Sequence, residues 1–200
     1  VRALAGLAIL QGGRIMIAGR DVTARPLGER RAGGLRIIPF ERNSEGLSLS
    51  STLWENWSAR LLLLGHALRP VSPGRLRRAC QAALRQWDVR FASANQPAGS
   101  LSGGNAQKLI LAREVDATAA LIIAAQPTRG LDVGATAFVW RSLRAARARG
   151  SGVLMISSDL DELFDVSDRI VVMLSGRIVG EFRPPYHLGD IGAAMTGVGR

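Results

Sequence analysis

The segment with the clearest chemical potential is Leu101-Ser-Gly-Gly-Asn-Ala-Gln-Lys108, a paired-glycine turn that runs straight into a helix. Unpaired N–H groups at a helix start, together with the Ser102 hydroxyl, form a site for a phosphate oxygen, and Gly103 and Gly104 permit close backbone approach. Twenty residues on, the apolar run Ala119 to Ala124 leads into Gln126-Pro-Thr-Arg-Gly-Leu-Asp-Val-Gly134. A nucleotide phosphate loop of the form Gly-x-x-x-x-Gly-Lys-Ser/Thr needs a lysine after glycine, but Lys108 follows Gln107 and is the only lysine. That loop is therefore absent from these 200 residues. Asp159, Asp161, Glu162 and Asp165 form an acidic cluster at a helix start, where the helix dipole favours them. His66 and His187 lack metal-ligand spacing and nearby cysteine, so both read as surface or boundary residues.

The elements that must carry these segments alternate. Arg14 to Ala18 and Leu35 to Pro39 suit strands, with a polar loop or short exposed helix between Asp21 and Arg31. Leu53, Trp54, Trp57, Leu61 and Leu64 recur at intervals of three and four, the face of a helix starting near Ser50. Pro70 and Pro73 break the chain before a second helix from Arg75 to Val89, with Leu76, Ala79 or Cys80, Ala83 or Leu84, and Trp87 inward. A helix from Ala106 to Thr118 precedes the apolar strand at Ala119 to Ala124, and a helix from Ala135 to Arg149 precedes a second buried strand at Gly152 to Ser157. After a short acidic helix, Ser175-Gly176 makes a two-residue hairpin turn between Ile170–Leu174 and Arg177–Phe182. Strands alternating with helices predict an α/β fold with a mainly parallel sheet covered on both faces.

Composition narrows the function classes. At 47% hydrophobic and 21% charged the chain reads as globular, with no stretch of about 18 uncharged apolar residues for a membrane-spanning helix. One cysteine, Cys80, excludes an internal disulfide or a cysteine-rich zinc site and fits a reducing, cytoplasmic setting. The net charge is +10, carried by arginine in all but one of the 26 basic residues. Residues 1–150 hold 22 basic and 9 acidic residues, whereas residues 151–200 hold 4 and 7. Such a field attracts phosphates, nucleic acid or anionic membrane surfaces. Arg141, Arg144 and Arg147 sit on one solvated helix face, and Arg129 suits either an interface or solvent.

The succession of Leu101-Ser-Gly-Gly, the apolar strand before Gln126-Pro-Thr, Gly130-Leu-Asp132 and Ile156-Ser-Ser-Asp159 resembles ATP-binding cassette (ABC) proteins over nearly the whole chain. In that family the signature motif, the magnesium-site strand, the D-loop and the switch segment occur in this order. Ile38-Pro-Phe-Glu-Arg42 with Glu45-Gly-Leu47 is similar to a Pro-Glu-Asp-Arg type of Q-loop, and Asn105 stands where the signature usually has glutamine. These variants resemble the second cassette of double-cassette ATPases that import simple sugars or nucleosides.

The resemblance implies a RecA-like P-loop NTPase core at residues 1–45 and 119–200, interrupted by a helical subdomain at 46–118 that carries the signature. It implies ATP as ligand, held by Ser102, Gly103, Gly104, Asn105, Gln107 and Asp132, with Mg2+ held mainly by a partner cassette. Departures from the family pattern predict a defective site in this cassette. Ala125 and Gln126 replace an Asp-Glu pair, Ser158 replaces the switch histidine, and Phe40 replaces the first acid of the Q-loop phrase. A start at Val1 in what reads as the last turns of a helix predicts an upstream portion that carries the phosphate loop. The expected partners are the other cassette and transmembrane permease subunits at the cytoplasmic face of the membrane, with no nucleic acid. The alternatives are a soluble ABC protein of translation or repair and an arginine-rich nucleic-acid-binding module, the latter predicting affinity for RNA or DNA that falls steeply with salt.

Overall fold

The apolar run after Ala120 forms the central strand of a three-stranded parallel sheet. In a computed structural model of the chain, which describes residues 1–63 and 71–197, this strand pairs on one side with Leu35–Ile38 and on the other with Gly152–Ile156. In chain order the elements are α1 (Arg2–Ala5), β1 (Met16–Ile17), β2 (Arg20–Asp21), α2 (Leu27–Ala32) and β3 (Leu35–Ile38). Next come α3 (Leu53–Leu63), α4 (Pro73–Gln86), α5 (Gly103–Glu114), β4 (Leu121–Ala125), α6 (Val133–Ala148) and β5 (Gly152–Ile156). The rest are α7 (Leu160–Val166), β6 (Ile170–Leu174), β7 (Arg177–Phe182) and α8 (Leu188–Thr196). Leu64, His66 and Pro70 lie outside the described residues.

The chain divides into two compact units, Val1–Ile156 and Ser157–Arg200. In the first, successive β4 side chains serve opposite faces, as the period of two requires. Ile122 and Ala124 join a core with Leu53, Leu84, Leu109 and Val139, whereas Ile123 joins Leu35, Ile17 and Val22 on the other face. Both faces of β4 are thereby covered, which explains its uninterrupted apolar sequence. β5, expected to be buried, departs from this. It is the sheet edge, and Leu154 and Ile156 are 39% and 37% exposed because no further strand flanks them among the described residues. Leu61, placed inward by its spacing, is also exposed. Trp54 and Trp57 pack against the larger core as their spacing requires, with Cys80 fully buried there. Burial pushes the Cys80 thiol up to about 12, so it acts as a small apolar side chain.

Helix α5 starts earlier than its periodicity predicts, at Gly103, and ends at Glu114, where the chain turns toward β4. Several arginines are built into this turn. The Glu114 carboxylate, 1% exposed, pairs with Arg31 (3.0 Å) and Arg113 (2.8 Å). Asp116 pairs with Arg36 of β3 and with Arg60 of α3 and accepts from Thr118, so one carboxylate joins a helix of residues 53–63 to the sheet. Arg30, 2% exposed, donates to the carbonyls of Ala3, Leu4, Thr23 and Arg25, which satisfies the open C-terminus of α1.

Burial acts to raise the Asp116 pKa, but hydrogen bonding by Thr118 and the charges of Arg60 and Arg36 outweigh it and leave the carboxyl below its ordinary value. A group depressed on folding stabilises above its unfolded pKa, about 3.9, and loses that contribution as pH falls through the folded value. Asp116→Asn is therefore expected to cost about 2 kcal/mol near pH 7 and progressively less as pH falls below about 4 toward the folded value. Urea unfolding at pH 7 and pH 3 checks this; an equal cost at both would show that the charge is not what matters.

In the second unit, Ser175 and Gly176 both take positive φ (48° and 78°), the turn that matches the twist of a tight hairpin. β6 and β7 pair antiparallel as the sequence predicts, and α7 and α8 cover one face through Phe164 and Ile191, joined by Tyr186 of the segment before α8.

Candidate functional site

Ser102 is the N-cap residue of α5, in extended conformation, and is exposed. Its hydroxyl oxygen accepts from Asn105 Nδ2 (2.9 Å), which leaves the hydroxyl proton to donate outward. Asn105 in turn accepts from the Arg90 N–H (2.8 Å), so the residue in the usual glutamine position is fixed from behind. No acidic side chain lies in the first turn of α5 to neutralise its positive end. Both glycines sit in close approach to their neighbours. A Cβ on Gly103 would stand 3.2 Å from Arg42 Nη2, and one on Gly104 would stand 3.2 Å from the Ala135 Cβ.

Asp132 caps α6 by accepting from the Ala135 N–H (2.8 Å), and this cap holds the Gly130-Leu-Asp132 loop beside the start of α5. Gln107 is buried and donates to the Pro127 carbonyl (2.7 Å), tying the helix to the loop after β4. Ser102, Gly103, Gly104, Asn105, Gln107 and Asp132 thus share one neighbourhood in the first unit. Ser158 is exposed in the second unit, between Ser157, which donates to Glu162 (2.7 Å), and Asp159, which caps α7. Within the acidic cluster Asp159 serves as the helix cap, and among the described residues no group of three metal-ligating side chains gathers. Lys108 donates to the Asp88 carbonyl and carboxylate and lies over the Phe138 ring. The hydrogen bond and charge from Lys108 hold the exposed Asp88 carboxyl below its usual range. The single lysine is structural.

At the end of β4 the chain makes an abrupt departure. Gln126 has φ 48°, a conformation that side chains other than glycine seldom adopt, while its N–H still donates to the Ile156 carbonyl (2.7 Å). Strained backbone of this kind concentrates at functional loops. The family resemblance implies Mg2+ here, and the residues do not fit it. Ala125 has no side-chain oxygen, and Gln126 offers a neutral amide in place of a carboxylate. The flanking charges are guanidinium groups. Arg129 pairs with Glu41 (2.8 Å) and stacks over Phe40 (4.9 Å), and Arg42 lines the same pocket. Arg129, left open by the sequence between interface and solvent, belongs to this pocket. Its ion-pair partner Glu41 lies 88 residues away, and no local signal points to it.

No protein-family model matches the chain. It is 37% identical over 193 residues to the guanosine import ATP-binding protein NupO of Bacillus subtilis, a match that covers 92% of this chain and 36% of that protein. It is 36% identical over 182 residues to the ribose import ATP-binding protein RbsA of Corynebacterium glutamicum, covering 90% and 34%. The chain thus spans about a third of the length of the curated relatives it matches. Among solved structures, a dimeric post-hydrolysis state of the ATP-binding cassette MJ0796 bound to ADP and Pi superposes with a TM-score of 0.76 at 20% identity, over 93% of this chain and 79% of that one. Sheet order, helix placement and motif order therefore agree with sequence similarity, and the chain is an ATP-binding-cassette (ABC) protein, a homologue of the ATP-binding proteins of sugar and nucleoside importers.

Proposed function

We propose that this chain is the second, C-terminal cassette of a double-cassette import ATPase for simple sugars or nucleosides, and the non-hydrolysing half of an asymmetric pair. Residues 46–118 are its helical subdomain, and residues 1–45 and 119–200 its RecA-like core. The first turn of α5, with Ser102, Gly103 and Gly104, contributes phosphate-facing donors to a nucleotide held by the other cassette, which supplies the lysine, Mg2+ ligands and base. Asp132 shapes the loop beside it. The permease subunits couple this turnover to transport at the cytoplasmic face of the membrane; no helix among the described residues is long and apolar enough to cross it.

One contrast carries the reading. The donor turn at Ser102–Gly104 carries no acid of its own, while the end of β4 presents Ala125 and Gln126 where proton abstraction and metal binding would need carboxylates. A positioned base is worth about two to four decades of rate, and Gln126 cannot take a proton from water. Substituting Gln126 by Ala in the full-length ATPase is therefore expected to leave its steady-state ATP turnover within about twofold, since a group without a catalytic role costs nothing when removed. A tenfold loss would mean that hydrolysis occurs at this cassette's own site.

A further inference from the structure

Helices α3 and α4, which pack together, carry charge of one sign. Between Glu55 and Asp88 the sequence holds six arginines and no acidic residue. On α4, Cys80 and Leu84 face the core, while Arg75, Arg78 and Arg85 are exposed along one stripe on the side away from it, as their spacing of three and seven requires. None of these three makes an ion pair among the described residues. The acids at the two borders are engaged elsewhere. Glu55 accepts from Thr52 and faces Arg77, and Asp88 pairs with Lys108. Arg77 in turn lies over the Trp54 ring at 5.4 Å, which fastens α4 to α3.

Apolar side chains stand beside this charge. Leu61, Leu62 and Leu63 end α3 exposed, the last of them by 59%, and Val71, 52% exposed, leads into α4 ahead of Arg75. Leucines that no core covers, next to unpaired guanidinium groups, suit neither water nor a nucleic-acid backbone, which offers phosphates without an apolar phase. A lipid bilayer offers both, anionic headgroups for the arginines and the acyl boundary for the leucines.

We propose that this face of α3 and α4 docks on an anionic lipid surface, with Arg75, Arg78 and Arg85 on the headgroup phosphates and Leu61, Leu62, Leu63 and Val71 at the boundary between headgroups and acyl chains. The contact is peripheral and crosses nothing. Near an anionic surface each arginine contributes about fivefold to partitioning, so the stripe contributes about a hundredfold. The inference rests on these two helices and stands whether or not the chain is the second cassette of an importer.

Cosedimentation of the full chain with vesicles tests it. One set of vesicles is phosphatidylcholine alone, and the other contains about one third phosphatidylglycerol. Binding to the anionic set that falls about a hundredfold in Arg75→Gln/Arg78→Gln/Arg85→Gln and at least about fivefold in Leu62→Gln/Leu63→Gln supports the proposal. A control, Arg14→Gln/Arg20→Gln/Arg177→Gln, removes as many exposed charges elsewhere and should stay within about threefold of wild type. Every substituted side chain is exposed, so the variants keep the fold, which circular dichroism verifies. The absence of any preference for the anionic vesicles overturns the proposal, as does an equal loss in the control. Binding that ignores the leucine substitutions also overturns it, because it would mark a face for nucleic acid or an acidic protein.

Discussion

Replacing Ser102 by aspartate in the full-length ATPase is expected to lower ATP turnover by about 10²–10³-fold while leaving the protein folded. Asp and Ser are about equally good N-caps, so α5 retains its start and the packing of Ala106, Leu109 and Ile110 behind it. What changes is the charge presented by the first turn. In the wild type the first turn of α5 carries no acid of its own and the Ser102 hydroxyl proton is left to donate outward, a setting that attracts a phosphate oxygen. A carboxylate at this position satisfies the N–H groups of the turn itself and repels an approaching phosphate. The magnitude is that of losing a preorganised donor to developing charge, about 3–4 kcal/mol. Purified variant and wild type are compared by steady-state phosphate release, with thermal unfolding as the control for folding. Turnover within threefold of wild type at equal thermal stability would end the assignment of this turn to the nucleotide.

Glu114→Ala is the substitution with the largest expected effect on stability, about 3–5 kcal/mol. The carboxylate is buried at the end of α5, with Arg31 and Arg113 on its two oxygens and both guanidinium groups largely shielded from water. It also faces the Ile37 N–H of β3 at 3.4 Å. Removing it leaves two buried positive charges uncompensated, with Arg36 and Arg60 close by around Asp116. The cost arises from those abandoned charges more than from the lost attraction. A double substitution Glu114→Leu with Arg31→Met should therefore recover part of it. Urea unfolding of wild type, single and double variants measures the coupling; a single-variant loss below 1 kcal/mol would show that water reaches the cluster.

Several features were legible before any coordinates. The uninterrupted apolar character of residues 119–124 indicated a buried parallel strand, and Ile122 and Ile123 do face opposite cores. Ser175-Gly176 indicated a tight hairpin, since only a few residue types tolerate two consecutive positive φ angles. The open donor turn at Ser102–Gly104 followed from glycine, serine and helix geometry alone, all of them local properties. β5 and Leu61 were misjudged because apolar character does not say whether a neighbouring element is present to cover it.

The sequence by itself determined which chemistry was available: a helix start with a serine and two glycines able to present N–H donors, one lysine in no phosphate loop, and a strand ending in Ala125 and Gln126 without a carboxylate. Tertiary structure alone decided what the arginines do. As a sequence, 25 arginines read as a diffuse positive field. Folded, Arg30 satisfies helix carbonyls, Arg31, Arg36, Arg60 and Arg113 hold two carboxylates at the end of α5, and Arg42 and Arg129, far apart in sequence, line one pocket. A side chain's charge is written in its residue type, but its energy depends on burial and on partners tens of residues away, which only the packed chain brings within reach.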